Sequence, residues 1–169
     1  MSFYYRKAGG KPWVVRRGAM RLLTATALLA YPAGCLTLLL APDTTPEPSL
    51  TGGEIAGFGL FLLAIASFAV IAPSSFQRIV AEEAKHLDEF EMDLRRRANA
   101  MAYQIFTALT LLGLIYLGIA SDSEARIAFW TPSTFDHWNA IIWGAILYAF
   151  VLPTAVLAWV APAPVREED

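Results

Sequence analysis

The sequence predicts an all-α, polytopic integral membrane protein: a four-transmembrane-helix bundle with a cytoplasmic helical extension before the third span. Three observations carry this. The 169 residues are 56% hydrophobic and only 17% charged, outside the range of ordinary soluble domains. The apolar excess is segmented: between Arg21 and Asp43, Glu54 and Arg78, Arg97 and Asp122, and His137 and Arg166 the chain has no ionisable side chain except Cys35 and tyrosines. Each gap accommodates the ~20 residues of helix that cross a hydrocarbon core. Finally, the bases alternate. Six Lys/Arg fall in 1–21, none in 42–54, five in 73–97, one in 121–137 and one in the C-terminal tail, which by the positive-inside rule places both termini and the middle loop in the cytoplasm.

The resulting layout is a basic cytoplasmic tail (1–18), a single four-helix transmembrane domain (19–162) and an acidic cytoplasmic tail (163–169). The expected spans are 19–41, 52–72, 98–120 and 135–160, with a cytoplasmic helical loop over 73–97. This threading and charge distribution suit a bacterial inner (plasma) membrane. Trp130, Trp138 and Trp143 are expected near the outer interface and Trp13 and Trp159 near the inner one, as an aromatic belt requires.

In the first span, AYPAGC (30–35) resembles a lipoprotein cleavage box. Pro32 stands where such a box wants an aliphatic residue, and after Cys35 the chain continues LTLLLA instead of turning polar. A spanning helix kinked at Pro32 and Gly34 is the better reading, with Cys35 a small apolar filler. A lone cysteine forms no intrachain disulfide, so it says nothing of the redox compartment.

The second span opens with capping-box spacing at Thr51 and Glu54, and Gly53 and Gly57 offer a close-approach face. The loop that follows has to double back, because one helix running from Ser74 into the third span would start more than ~30 Å from the membrane at ~1.5 Å per residue. Asp88 and Glu91 have capping spacing, with Leu87 and Met92 as a hydrophobic staple, so a helix is expected to start at Asp88 and run on into the third span. A separate short helix is expected over 75–86. A kinked continuation of the second span past Pro73, turning at the same point, is the alternative.

On this arm Glu91 to Arg95 and Asp93 to Arg97 are i,i+4 pairs in the favourable order. Arg95, Arg96 and Arg97 sit at headgroup depth, as Arg16 and Arg17 do before the first span, and these five are the expected contacts to anionic lipid. Leu87, Phe90 and Leu94 form a narrow apolar stripe, expected to be covered by the short helix, with a protein partner as the second reading. Glu83 and His86 make an E-x-x-H. Di-iron bundles need a second copy and two further inward glutamates, and the other histidine, His137, is expected across the membrane. A solvated charged face is therefore expected, without metal.

In the third span Ala102, Thr110 and Gly113 are expected at close helix contacts, and Gln104, Thr107 and Thr110 are the in-span polar groups most able to bond across helices. Capping spacings recur at Ser121 with Glu124, before a short ARIAFW segment, and at Ser133 with Asp136, before the fourth span. Pro153 should kink that span, as Pro32 kinks the first, and kinks need neighbours that satisfy the freed carbonyls. Paired arginines at 16–17 and 96–97, with APD and ASD closing the first and third spans, hint at tandem hairpins, but the identities are too few to separate from chance.

Function is bounded chiefly by exclusion. Ion relays and coupled transport leave acids, bases or histidines within the bundle, and none lies in these spans. Intramembrane haem ligation by histidine, nucleophile motifs and Gly-rich phosphate loops are likewise missing. No cofactor, metal, catalytic residue or nucleic-acid partner is expected. The expectation is a non-enzymatic membrane protein acting through protein or lipid contacts, as an accessory, scaffolding or regulatory subunit or a homo-oligomer, in contact with anionic headgroups. The alternative is a minimal transporter or channel with a pathway formed by oligomerisation.

Overall fold

A computed structural model describes residues 14–40, 51–82, 86–121 and 129–161. They form five helices: α1 (Arg17–Leu40), α2 (Gly52–Ile71), α3 (Ser75–Ala81), α4 (Glu89–Ala120) and α5 (Phe135–Val160). Four are long and apolar enough to cross a membrane, and they coincide with the four expected spans. Among the described residues there is no strand.

The starts of the helices follow local chemistry. Thr51 caps α2 with its side chain on the Glu54 N–H, while the Glu54 carboxylate takes the Thr51 N–H at 2.7 Å, the reciprocal box its spacing implied. Asp88 caps α4, accepting from Glu91 N at 2.6 Å, and the arm and third span are one helix of 32 residues. At ~1.5 Å per residue that is about 48 Å, well beyond a ~30 Å hydrocarbon core. The start of α5 differs from expectation. Thr134, not Ser133, accepts from the His137 N–H at 3.3 Å, and the Ser133 N–H donates instead to His137 Nδ1. The Glu124 signal and most of ARIAFW lie outside the described residues.

Between α2 and α4 the chain doubles back. Pro73 follows the last turn of α2, and Ser74, in extended conformation, caps α3 through its hydroxyl on Gln77 N. The expected helix over 75–86 is shorter, ending at Ala81 with Glu82 extended. The reason is long-range. Arg95 of α4 donates to the Glu82 carbonyl at 2.6 Å, and Arg78 pairs with both Glu82 and Glu91, which turns the chain onto the arm.

Extensive contact joins α1 to α2, α1 to α5 and α5 to α4, while α3 lies against α4 and α5. The long helices therefore follow the spatial order α2, α1, α5, α4. The expected four-helix bundle is open: among the described residues α2 and α4 make no extensive contact that would close the ring. The start of α1, the end of α2, α3, the start of α4 and the end of α5 share one end of the molecule, termed the arginine end. Both core clusters lie toward it. One gathers Val80, Leu94, Ala98, Ala102, Leu152, Val156 and Leu157, and the other Met20, Ala27, Ile71, Val151 and Ala158. Alanines in these clusters allow close backbones, which matters where contact, not expulsion of water, drives helix association.

The two helical prolines have different surroundings. Pro32 cannot bond the Leu28 carbonyl one turn back, and Tyr148 Oη of α5 donates to that oxygen at 2.7 Å. Pro153 frees the Ala149 carbonyl in the same way, beside a cavity of about 410 Å³ that also touches Arg95, Asn99 and Tyr103. Cys35, the cysteine of the lipoprotein-like box, lies well within α1.

Candidate functional site

Toward the end opposite the arginines, α4 parts from α1 and α5. Every residue from 108 to 116 of α4 is exposed. The face of α4 that points to α1 and α5 carries Phe106, Leu109, Gly113 and Leu117, spaced at helical intervals, and it lines a cleft of about 730 Å³. From α1 the wall is formed by Tyr31, Cys35 and Leu38, and from α5 by Ala140, Ile141, Gly144 and Tyr148. Trp130, Asp136 and His137 sit where the cleft meets the far end of the molecule.

Most polar groups inside this cleft are already engaged. Tyr31 Oη donates to the Ala140 carbonyl at 2.8 Å, Tyr148 Oη to Leu28, and Thr110 Oγ1 to Phe106 at 2.8 Å within its own helix. The Tyr31 ring reaches α5 because Gly144 has no side chain: a Cβ there would lie 3.1 Å from Tyr31 Cε1. With its hydroxyls committed, the interior presents hydrocarbon and one thiol. At the mouth His137 is fixed by the Ser133 N–H on Nδ1 and by edge-on packing with Trp130, centroids 5.3 Å apart. In the neutral ring the remaining proton is on Nε2, a donor. Asp136 is exposed beside it. Tyr116 Oη donates to the Trp130 carbonyl at 2.8 Å, tying the parted half of α4 to the segment before α5.

The arginine end is, by contrast, crowded with bonds. Arg17 donates to the carbonyls of Ala158 and Trp159 at 2.9 and 2.7 Å, and Arg21 reaches the same two oxygens at 3.0 and 3.4 Å. Two guanidinium charges thus lie on the last carbonyls of α5, where the helix dipole favours cations. Arg21 also lies 4.6 Å over the Trp159 ring. Deeper in, Thr154 donates to Gln77 Oε1, so that the short helix is keyed to α5 through buried side chains. Burial works against the charge of Arg78, yet the hydrogen bonds and charges of Glu82 and Glu91 prevail and its pKa is raised.

The sequence-predicted residues fall out as follows. Of the headgroup contacts, Arg16 is exposed, Arg17 lies on α5 and Arg95 on Glu82, while Arg96 and Arg97 project outward near Asp93. The Asp93–Arg97 pair is present at 2.7 Å. Glu91 does not pair with Arg95 but with Arg78, because α3 brings that guanidinium alongside. In the apolar stripe Leu87 and Leu94 are buried and Phe90 is 59% exposed. Gln104 and Thr110 are exposed and Thr107 half-buried, so α4 turns Gln104 away from the other helices. Ala102 is buried as expected for a close contact, whereas Thr110 and Gly113 face the open cleft. The close glycine contact is in the other hairpin, where a Cβ on Gly57 would meet Leu38 Cγ at 2.7 Å. His86 is exposed, and Glu83 lies outside the described residues. The role of Arg21 was missed; its one sequence signal is the i,i+4 spacing from Arg17, which puts both on one face.

The described residues define an all-helical protein whose four long apolar helices fit a multi-pass membrane protein. Compared with models of protein families, curated proteins and solved structures, the chain matches none.

Proposed function

We propose that this is a non-enzymatic, multi-pass protein of a bacterial inner membrane, with both termini cytoplasmic, that acts through lipid or protein contacts. It serves as an accessory, scaffolding or regulatory subunit, or as a homo-oligomer. The observation in its favour is the parted half of α4, apolar and exposed on every side, with its inward face on a cleft whose hydroxyls are already bonded. Such a surface suits an apolar neighbour, not a polar reactant or ion. The base count supports the orientation: the arginine end is then cytoplasmic and the mouth of the cleft faces outward.

The alternative, a transporter or channel built by oligomerisation, has less support within one chain. The cleft stops at Phe106 and Tyr148: Phe106 stands between it and the smaller cavity that reaches Arg95, and beside that cavity Ala98 and Leu157 are packed together. The decisive measurement is the mass of the detergent-extracted particle and of anything bound to it. A particle carrying lipid, a second copy or a stoichiometric protein supports the contact reading. A bare monomer that conducts ions or turns over a substrate in vesicles overturns it.

A further inference from the structure

We propose that the cleft between α1, α4 and α5 holds one acyl chain of an amine-bearing phospholipid, with its headgroup at Asp136 and His137. This rests on the contact reading and names the occupant. The interior accepts a hydrocarbon chain and little else, because the tyrosine and threonine hydroxyls on its wall already donate to carbonyls within the chain. A ligand with polar groups along its length would bury them without partners, which disfavours it. About 730 Å³ is within the size range of small-ligand sites.

The polar part of the occupant belongs at the mouth, where one donor and one carboxylate are side by side. His137 Nε2–H can donate to a phosphate oxygen, and Asp136 can pair with an ammonium. Charge favours the same choice of headgroup. Among the described residues the far end carries the acids Glu54 and Asp136 and no Lys or Arg, so a net anionic headgroup is repelled where a zwitterion with an outward amine is not. Gly113 is the opening in the wall: nothing lies within 4 Å of the position its Cβ would take.

The test uses the full chain reconstituted in vesicles of equal phosphatidylethanolamine and phosphatidylglycerol, extracted in mild detergent and weighed by native mass spectrometry. The parent should retain about one phosphatidylethanolamine per chain, in preference to phosphatidylglycerol. Gly113→Phe fills the cleft from an open position and should lower retention about tenfold, a change of ~1.4 kcal/mol in affinity. Leu112→Phe, on an exposed part of α4 that does not line the cleft, should retain lipid as the parent does. Asp136→Asn should keep a chain but lose the preference between headgroups. Equal retention of both lipids by the parent, or unchanged retention by Gly113→Phe, overturns the proposal. A lipid-free parent that runs as a dimer or with a protein partner also overturns it, while leaving the contact reading intact; a lipid-free monomer with transport or turnover removes both.

Discussion

Single residues set how closely neighbouring helices approach, and glycine does so in opposite ways at two sites. At Gly57 any side chain strikes Leu38 of α1, and at Gly34 a Cβ would lie 3.1 Å from the Gly57 carbonyl oxygen. Gly57→Val should therefore destabilise the α1–α2 hairpin by about 1–3 kcal/mol, the usual range for overpacking. Gly113→Ala meets nothing and removes a flexible residue from a helix, so it should be neutral or stabilise by up to ~1 kcal/mol. Thermal unfolding of both variants in one detergent checks the contrast. Tyr148 offers a second test, because Tyr148→Phe strips the Leu28 carbonyl of the partner that Pro32 made necessary. A loss of about 0.5–2 kcal/mol is expected, and Tyr116→Phe, on an exposed loop carbonyl, should lose less. The need for a donor near Pro32 was legible in the sequence. Its identity was not, since Tyr148 stands 120 positions from Leu28 and no local spacing points to it.

Among the elements, the turn from α3 into α4 shows where local patterns stop informing. Asp88 and Glu91 sit three apart, and their cap is present; Asp93 and Arg97 sit four apart, and their pair is present. Glu91 and Arg95 have the same spacing but no pair, because the 13-residue connection from Arg78 to Glu91 closes instead. Arg78→Met should free the arm. Both carboxylates lose the Arg78 guanidinium, and the first turns of α4 should exchange amide hydrogens faster while the apolar part of α4 is unchanged, as hydrogen exchange with mass spectrometry can resolve. The raised pKa of Arg78 means that its guanidinium is charged at every pH below its ordinary value, and that its side of the tie is lost only as pH climbs through the raised one, far above neutrality. Across the whole range in which the protein would normally be handled, the guanidinium stays charged.

Across the whole molecule, the number of long helices and their apolar stretches were readable from composition, because each gap in charge falls on one of α1, α2, α4 and α5. The openness of the arrangement was not. A leucine on α4 looks the same in sequence whether it faces lipid, another helix or a cleft, and every residue from 108 to 116 proves exposed. The charge distribution at this scale carries its own prediction. Changing Arg95, Arg96 and Arg97 together to Glu removes the Arg95 bond to Glu82, places acids beside Asp93 and erases most of the basic bias of the middle loop. Insertion should fail or the fold should melt early, by more than the ~1 kcal/mol that one exposed pair could contribute. Alkaline extraction of membranes and thermal unfolding report the two outcomes separately. Normal insertion and melting with loss of a co-purifying protein would instead make the arm a docking surface.

The clamp of Arg17 and Arg21 on the last carbonyls of α5 also has a meaning in time. Its partners are as many as 142 positions apart, so when the first helix leaves the ribosome its receptor has not been made. At ~5–20 residues per second, roughly 7–28 s pass before Trp159 follows. During that interval the two guanidiniums are without these carbonyls. Translation speed then decides how long an unlatched chain persists, and the final turn of α5 acts as the bolt that closes on it.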